Sequence, residues 1–256
     1  MIHKPQYSKA ESLTQLSANF HHIQQRIEQA CQRSGRDAST VRLLPVSKTV
    51  DEARIRMAYQ LGFHNFGENK VQEALDKSES LSDLEIQWSV IGHLQTNKIK
   101  YVARFASEFQ ALDSLKVAKK LHQRLELENR DLEVLVQVNT SNEASKYGLQ
   151  PSEVAQFLHD IQPFYRLKVK GLMTLALLSN NNAKVRECFV LLRNLRDQLR
   201  DDLRLNQSTD MCMDELSMGM SGDFEIAIEE GATIVRIGQA LFGARALPDS
   251  YYWPEQ

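Results

Sequence analysis

The chain has 256 residues, with 31 basic and 33 acidic side chains, so its formal net charge at pH 7 is −2. This balance gives no electrostatic reason to expect binding to nucleic acid or to an acidic membrane. Three widely spaced cysteines without a CxxC pair predict neither a disulfide framework nor a metal site. Because no signal-peptide core and no membrane-length apolar run is present, we expect a cytoplasmic protein.

The first predicted element is a long helix over residues 8–35. Ser8 is the predicted N-cap and Gly35 the predicted end. The apolar residues step by three or four positions, which is typical of a helix with one buried face. These residues are Leu13, Leu16, Phe20, Ile23 and Ile27.

After this helix the chain alternates short apolar runs with amphipathic segments. The runs predict eight strands, at residues 41–47, 64–67, 86–91, 109–112, 133–139, 167–174, 215–218 and 233–237. The intervening segments predict helices near residues 51–61, 70–79, 97–105, 114–128, 151–161, 183–203 and 223–230.

Eight strands joined by helical crossovers favour an α/β fold, a single parallel (β/α)₈ barrel of the TIM type. An open doubly wound sheet is the alternative. No linker divides the chain, so residues 1–256 are predicted to form one domain. In this domain the helix over 8–35 covers the gap beside strands one and eight, the barrel spans 41–245, and a tail follows over 246–256.

Lys48 directly follows the first predicted strand and has two interpretations. In a water-poor site, desolvation favours the neutral amine that forms a Schiff base with an aldehyde. Alternatively, Lys48 is a solvated residue that ends the strand, and this stretch alone favours that interpretation. The barrel fold changes the balance, because its active sites lie at the C-terminal ends of the strands.

Two further loops are predicted to lie at the same end of the barrel. Strand seven runs into residues 218–223, where backbone N–H groups and the Ser221 hydroxyl could hold an anion. Strand eight ends with Arg236 and Ile237, and the following Gly238 lets the backbone approach a ligand closely. Phosphate sites recur after strands seven and eight of this fold, and closure makes strand eight the neighbour of strand one.

Taken separately, these features have simpler explanations, since glycine-serine turns often only start helices and strand arginines often pair with carboxylates. Together they match pyridoxal 5′-phosphate (PLP). Its aldehyde would react with Lys48, and its phosphate would accept from Ser221 and from the N–H groups of Gly238 and Gln239. Arg236 would face the ring nitrogen. Because a guanidinium keeps its proton, that nitrogen would stay unprotonated and the ring would be a poor electron sink.

Motifs from about the first helix to Arg245 resemble those of the pyridoxal phosphate homeostasis proteins. They are Val46-Ser47-Lys48-Thr49, Phe66-Gly67-Glu68-Asn69 with Val71-Gln72-Glu73, Ile91-Gly92-His93-Leu94-Gln95-Thr96-Asn97-Lys98, Ser145-Lys146-Tyr147-Gly148, Gly171-Leu172-Met173, Leu216 to Asp223, Val235-Arg236-Ile237-Gly238 and Leu241 to Arg245.

The resemblance implies a single barrel, similar to the N-terminal domain of alanine racemase, that holds PLP as an internal aldimine on Lys48. It places Ser221, Gly238 and Gln239 at the phosphate and Arg236 at the ring nitrogen. The positions that would line the ring are Asn69 and Met173.

The chain departs from the family pattern at two positions. Many members carry a second lysine where this chain has Val50, and a hydroxyl residue often replaces Gln239. Only the backbone N–H of Gln239, or a reoriented amide, can then serve the phosphate. Lys146 matches another basic residue of the family, which either assists cofactor exchange or is a solvated loop lysine.

Two classes of function remain. The first is a monomeric carrier that holds PLP and delivers it to apo forms of PLP-dependent enzymes, without metal or strong catalysis. The second is an amino-acid racemase or related enzyme. Only a short segment follows strand eight, and we expect no tyrosine or histidine at a strand end opposite Lys48. The sequence therefore favours the carrier.

Overall fold

The computed structural model describes residues 7–143, 146–205 and 211–244. Helix α1 spans Leu13–Arg33, with Ser12 as N-cap. The predicted start at Ser8 was therefore wrong, because the preceding segment pairs with the other end of the chain: the Ala10 N–H donates to the Phe242 carbonyl oxygen at 3.1 Å. Gly35 follows the helix end with a φ of 67°, in the left-handed region that favours glycine.

All eight predicted strands are present. They are β1 Arg42–Pro45, β2 Asn65–Glu68, β3 Gln87–Val90, β4 Ala106–Leu112, β5 Leu132–Gln137, β6 Leu167–Met173, β7 Glu215–Met220 and β8 Ile234–Ile237. Strand β4 begins earlier than predicted, because helix α4 ends at Phe105 and the chain enters the strand directly.

The strands form one parallel sheet in the order β1-β8-β7-β6-β5-β4-β3-β2. Its two outer strands meet through a parallel bridge between Val46 and Gly67, and the Ser47 N–H donates to the Gly67 carbonyl oxygen at 3.0 Å. The sheet therefore closes on itself. This closure confirms the predicted (β/α)₈ barrel and excludes the open doubly wound sheet.

Helices cover the outside of the barrel. After α1 they are α2 Glu52–Gln60, α3 Val71–Ser80, α4 Ile99–Phe105, α5 Leu115–Glu128, α6 Val154–Ile161, α7 Asn182–Leu205, α8 Phe224–Glu229 and α9 Gln239–Phe242. The short α9 was not predicted. Helix α1 packs against α2, α8 and α9, beside strands β1 and β8 as expected.

The predicted tail over 246–256 lies outside the described residues. Among the helices that the structure describes, none combines the length and apolar character needed to span a membrane.

Candidate functional site

The structure places Lys48 three residues after Pro45, the last residue of β1, at the C-terminal end of the strand, where it is partly buried. Ser47, the residue before it, is fully buried, and its hydroxyl donates to Glu68 Oε1 on β2 at 2.7 Å. Thr49, the residue after it, has a φ of 63°. The residues on both sides of Lys48 therefore have defined positions, Ser47 by its bond to Glu68 and Thr49 by its backbone conformation.

The loops after β7 and β8 lie against each other at the same end of the barrel. The Ala240 N–H in α9 donates to Ser221 Oγ at 3.2 Å. Gly238 packs so closely on Val46, the residue after β1, that an added Cβ would lie 3.1 Å from the Val46 carbonyl oxygen. The fold thus brings Ser221, Gly238 and Gln239, the first residue of α9, beside the strand that leads to Lys48.

Arg236 on β8 is almost fully buried and is held by two acceptors. Its Nη1 donates to Ser217 Oγ at 2.6 Å, and its Nη2 donates to the Thr174 carbonyl oxygen at 2.8 Å. Ser217 belongs to β7, and Thr174 follows β6. The guanidinium is therefore fixed by β7, which is next to β8 in the sheet, and by the residue that follows β6, the strand beyond β7.

A chain of polar side chains continues from Arg236 through the barrel. Ser217 Oγ bonds to Gln110 Oε1 at 2.6 Å, and Gln110 Nε2 donates to Glu108 Oε2 at 2.8 Å. Glu108 also accepts from Ser89 at 2.5 Å and from Arg42 at 2.8 Å. Since β7 and β4 are not neighbours in the sheet, the Ser217–Gln110 bond crosses the barrel interior.

The polarity of this chain is fixed by its ends. As a carboxylate, Glu108 can only accept, so the Gln110 amide must turn its NH₂ group toward it. The Gln110 carbonyl oxygen then accepts the Ser217 hydroxyl proton, which leaves a lone pair of Ser217 facing Arg236. The hydrogen-bonded row of Glu108, Gln110 and Ser217 therefore offers Arg236 an acceptor and holds the guanidinium in one orientation.

The charge on Arg236 survives its burial. Burial lowers the pKa of Arg236 to about 10, and the negative charges of Asp223 and Glu108 oppose that shift. Burial also raises the pKa of Asp223, although the Met220 N–H, which donates to its carboxyl at 2.6 Å, opposes this shift. Arg236 is consequently a protonated donor at neutral pH.

The remaining predicted residues also lie at this end of the barrel. Asn69 directly follows β2, and an added Cβ on Gly92 would lie 2.1 Å from its carbonyl oxygen, so only glycine fits there. Met173 is the buried last residue of β6. Lys146 follows β5, pairs with Glu143, and donates to the Ala176 carbonyl oxygen at 3.0 Å, which links two loops.

A cluster at the ends of β3, β4 and β5 was missed. The His93 ring stacks on the Tyr147 ring with centroids 4.1 Å apart. Asp113 accepts from the Gly148 N–H at 3.2 Å, and burial raises the pKa of Asp113 while the His93 charge opposes that shift. His93 and Tyr147 therefore lie at the Lys48 end of the barrel, where the sequence had assigned no acid/base group. His93 was visible in the sequence, three residues after β3.

Glu68 also went unrecognised, although it lies beside the Lys48 segment. It is fully buried and bonded through Oε1 to Ser47 and to Lys77, at 2.7 Å in each case. Its Oε2 has no partner within the part of the chain that the structure describes. Burial raises the pKa of Glu68 to about 7, although the Lys77 charge opposes this shift.

We expect Glu68 to make stability depend on pH. A carboxyl whose pKa is higher in the folded state than its model value of 4.5 stabilises the fold below that value. The contribution is lost as pH rises through about 7. Between about pH 5 and about pH 8, urea titrations should show the free energy of unfolding falling by roughly 1–3 kcal/mol more in the wild type than in Glu68→Gln. Parallel profiles would contradict this assignment.

Comparison with known proteins defines the class first. The family model of the alanine racemase N-terminal domain matches residues 13–246. A crystal structure of an unknown protein from Bifidobacterium adolescentis has a TM-score of 0.82 and 34% identity, covering 93% of this chain and all of that chain. The chain is thus a barrel of the alanine racemase N-terminal type.

Two relatives with named functions or ligands narrow the class. A pyridoxal phosphate homeostasis protein from Aquifex aeolicus is 42% identical over 87% of this chain and 95% of its own length. PipY from Synechococcus elongatus, whose structure was solved with PLP bound, has a TM-score of 0.74 and 32% identity, covering 86% of this chain and 100% of that chain. The chain belongs to the pyridoxal phosphate homeostasis protein family.

Proposed function

We propose that this protein holds PLP covalently on Lys48 and acts in PLP homeostasis as a carrier. The observation that carries the proposal is the meeting of three features at one end of the barrel. Lys48 follows β1, Ser221 and Gly238 lie in touching loops beside it, and the buried Arg236 guanidinium lies one strand away. The PLP-bound structure of the relative PipY supports the choice of ligand.

The residues fit the chemical groups of PLP one by one. The Lys48 amine and the PLP aldehyde would condense to an imine with loss of one water molecule. The Ser221 hydroxyl and the N–H groups of Gly238 and Gln239 are donors suited to phosphate. Arg236 would donate to the ring nitrogen, and the buried chain behind it keeps the guanidinium in place. Asn69 and Met173 would lie beside the ring.

Arg236 also favours a carrier over an enzyme. When bound, PLP supplies an electron sink only to the extent that its ring nitrogen carries positive charge. A guanidinium that stays protonated donates to that nitrogen without giving up its proton. We infer that the PLP ring at this site would stabilise a carbanion only poorly. We therefore propose a monomeric carrier in the cytoplasm that passes PLP to apo-enzymes.

The second candidate function is amino-acid racemisation, and one observation favours it. A racemase needs acid/base groups on both faces of its substrate, and His93 and Tyr147 supply titratable side chains at the Lys48 end of the barrel. Measuring α-hydrogen exchange of amino acids by the PLP-loaded protein separates the two candidates.

The proposal is tested by mapping the modified lysine. The purified protein is mixed with PLP, its visible absorption spectrum is recorded before and after borohydride reduction, and the modified peptide is sequenced by mass spectrometry. We expect a visible band that disappears on reduction and a pyridoxyl group on Lys48. An unmodified Lys48 with the label on Lys98 or Lys146 would overturn the site.

Ser221→Ala should weaken PLP retention. The variant removes one charge-assisted hydrogen bond to phosphate, which contributes roughly 1.5–3 kcal/mol when buried. The dissociation constant, measured by equilibrium dialysis, should therefore rise by about tenfold or more. Ser152→Ala, at an exposed serine before α6, serves as the control and should match the wild type. Equal affinity of both variants would remove Ser221 from the phosphate site.

A further inference from the structure

The backbone on both sides of Lys48 is held by one helix, α3. Lys77 Nζ donates to the Ser47 carbonyl oxygen at 2.7 Å. Glu73 Oε1 accepts from the Thr49 N–H at 2.6 Å. These two contacts flank Lys48 and come from adjacent turns of α3. The family resemblance gives Glu73 and Lys77 no role in the site.

The two α3 side chains also hold each other. Lys77 Nζ bonds to Glu73 Oε1 at 2.7 Å, four residues away on the same helix. Its third acceptor is Glu68 Oε1, which the Ser47 hydroxyl also reaches. An ammonium group has three hydrogens, so these three bonds use all of them. Lys77 is therefore fixed in one position, although such a side chain is ordinarily among the most mobile.

The conformation of Thr49 explains why the contacts from Glu73 and Lys77, together called the α3 clamp, are needed there. Its φ of 63° lies in the left-handed region, which a β-branched residue adopts only when its surroundings impose it. Two contacts impose it here, namely the Glu73 bond to the Thr49 N–H and the turn that the Val50 N–H closes on the Ser47 carbonyl oxygen at 2.9 Å. The left-handed conformation of Thr49 turns the backbone directly after Lys48, and this turn fixes the direction in which the Lys48 side chain points.

We propose that Glu73 and Lys77 are positioning residues that hold the Lys48 segment in the conformation that presents its amine to PLP. This inference rests on the proposed function, since it concerns the same lysine. It assigns a purpose to a partly buried ion pair, whose two side chains bond to the backbone of Ser47 and Thr49 and to none of the predicted ligand-binding groups. Without the α3 clamp, Thr49 would leave the left-handed backbone conformation and the Lys48 amine would sample many positions.

The test compares Glu73→Ala with Glu79→Ala, which removes an exposed carboxylate from the same helix. Hydrogen exchange of the apo-protein is followed by mass spectrometry on a peptide that contains Thr49. The rate of PLP addition is then measured by the growth of visible absorbance. Glu73→Gln is the conservative variant, because its amide oxygen can still accept from the Thr49 N–H.

In Glu73→Ala we expect faster exchange at Thr49 and PLP addition slowed by about tenfold, because small displacements of a reacting group cost rate steeply. Glu79→Ala should match the wild type, and Glu73→Gln should recover most of the rate. Unchanged exchange in Glu73→Ala would overturn the inference, as would faster exchange with PLP addition at the wild-type rate. The exchange measurement needs no PLP. Its result therefore stands apart from the attachment site, which is overturned if PLP labels another lysine in the wild-type protein.

Discussion

Replacing Lys48 with alanine is expected to abolish covalent retention of PLP. The imine requires a primary amine at this position, and neither Ser221 nor Arg236 can replace it. The free energy of unfolding should change by less than about 1 kcal/mol, since Lys48 is only partly buried. The measurement is the PLP content of the protein after gel filtration, with and without borohydride.

Lys98→Ala and Lys146→Ala are the matched controls, because both lysines lie after strand ends of the same barrel. Each should retain PLP at the wild-type stoichiometry. A Lys48→Ala protein that still carried reducible PLP would mean that another lysine is the attachment point.

Replacing Glu108 with alanine is expected to cause a large loss of stability. Glu108 accepts from Arg42, Ser89 and Gln110, and its charge compensates the buried Arg236. Removing one partner of a buried charged network leaves uncompensated charge and unpaired donors. We expect the free energy of unfolding, from urea denaturation, to fall by about 3–5 kcal/mol.

Glu133→Ala is the control, since Glu133 lies opposite Glu108 in the register of β4 and β5 but has an exposed side chain. It pairs with Lys170 at 3.4 Å, and the loss of such a surface pair costs less than about 1 kcal/mol. An equal loss of stability in both variants would mean that the network of Glu108, Gln110 and Ser217 does not compensate the buried charge of Arg236.

The barrel could be predicted from the sequence because its signals are local. Each strand is a short apolar run with polar residues at its end, and the alternation with helices implies a parallel closed sheet. The start of α1 could not be predicted in this way. Ser8 and Ser12 are both capable caps, and the choice depends on the pairing of Ala10 with Phe242 at the far end of the chain.

The predicted site residues are those on or beside strand ends, where residue type and position agree. The residues behind them were missed, since their roles depend on contacts between distant segments. Glu108 and Gln110 alternate along β4 and so share a face, but only closure of the barrel brings them to Ser217. Glu73 and Lys77 have the spacing of an ordinary ion pair on a helix surface. Only the fold shows that they bond to the backbone on both sides of Lys48.

The most direct test of the carrier proposal is α-hydrogen exchange. PLP-loaded protein is incubated with L-alanine, L-serine and L-lysine in deuterated water, and the α-hydrogen content and enantiomer ratio are followed. We predict neither exchange nor racemisation at enzymic rates, with transfer of PLP to an apo-enzyme from the same sample. Turnover that disappears in Lys48→Ala would contradict the carrier proposal and identify the protein as an amino-acid enzyme.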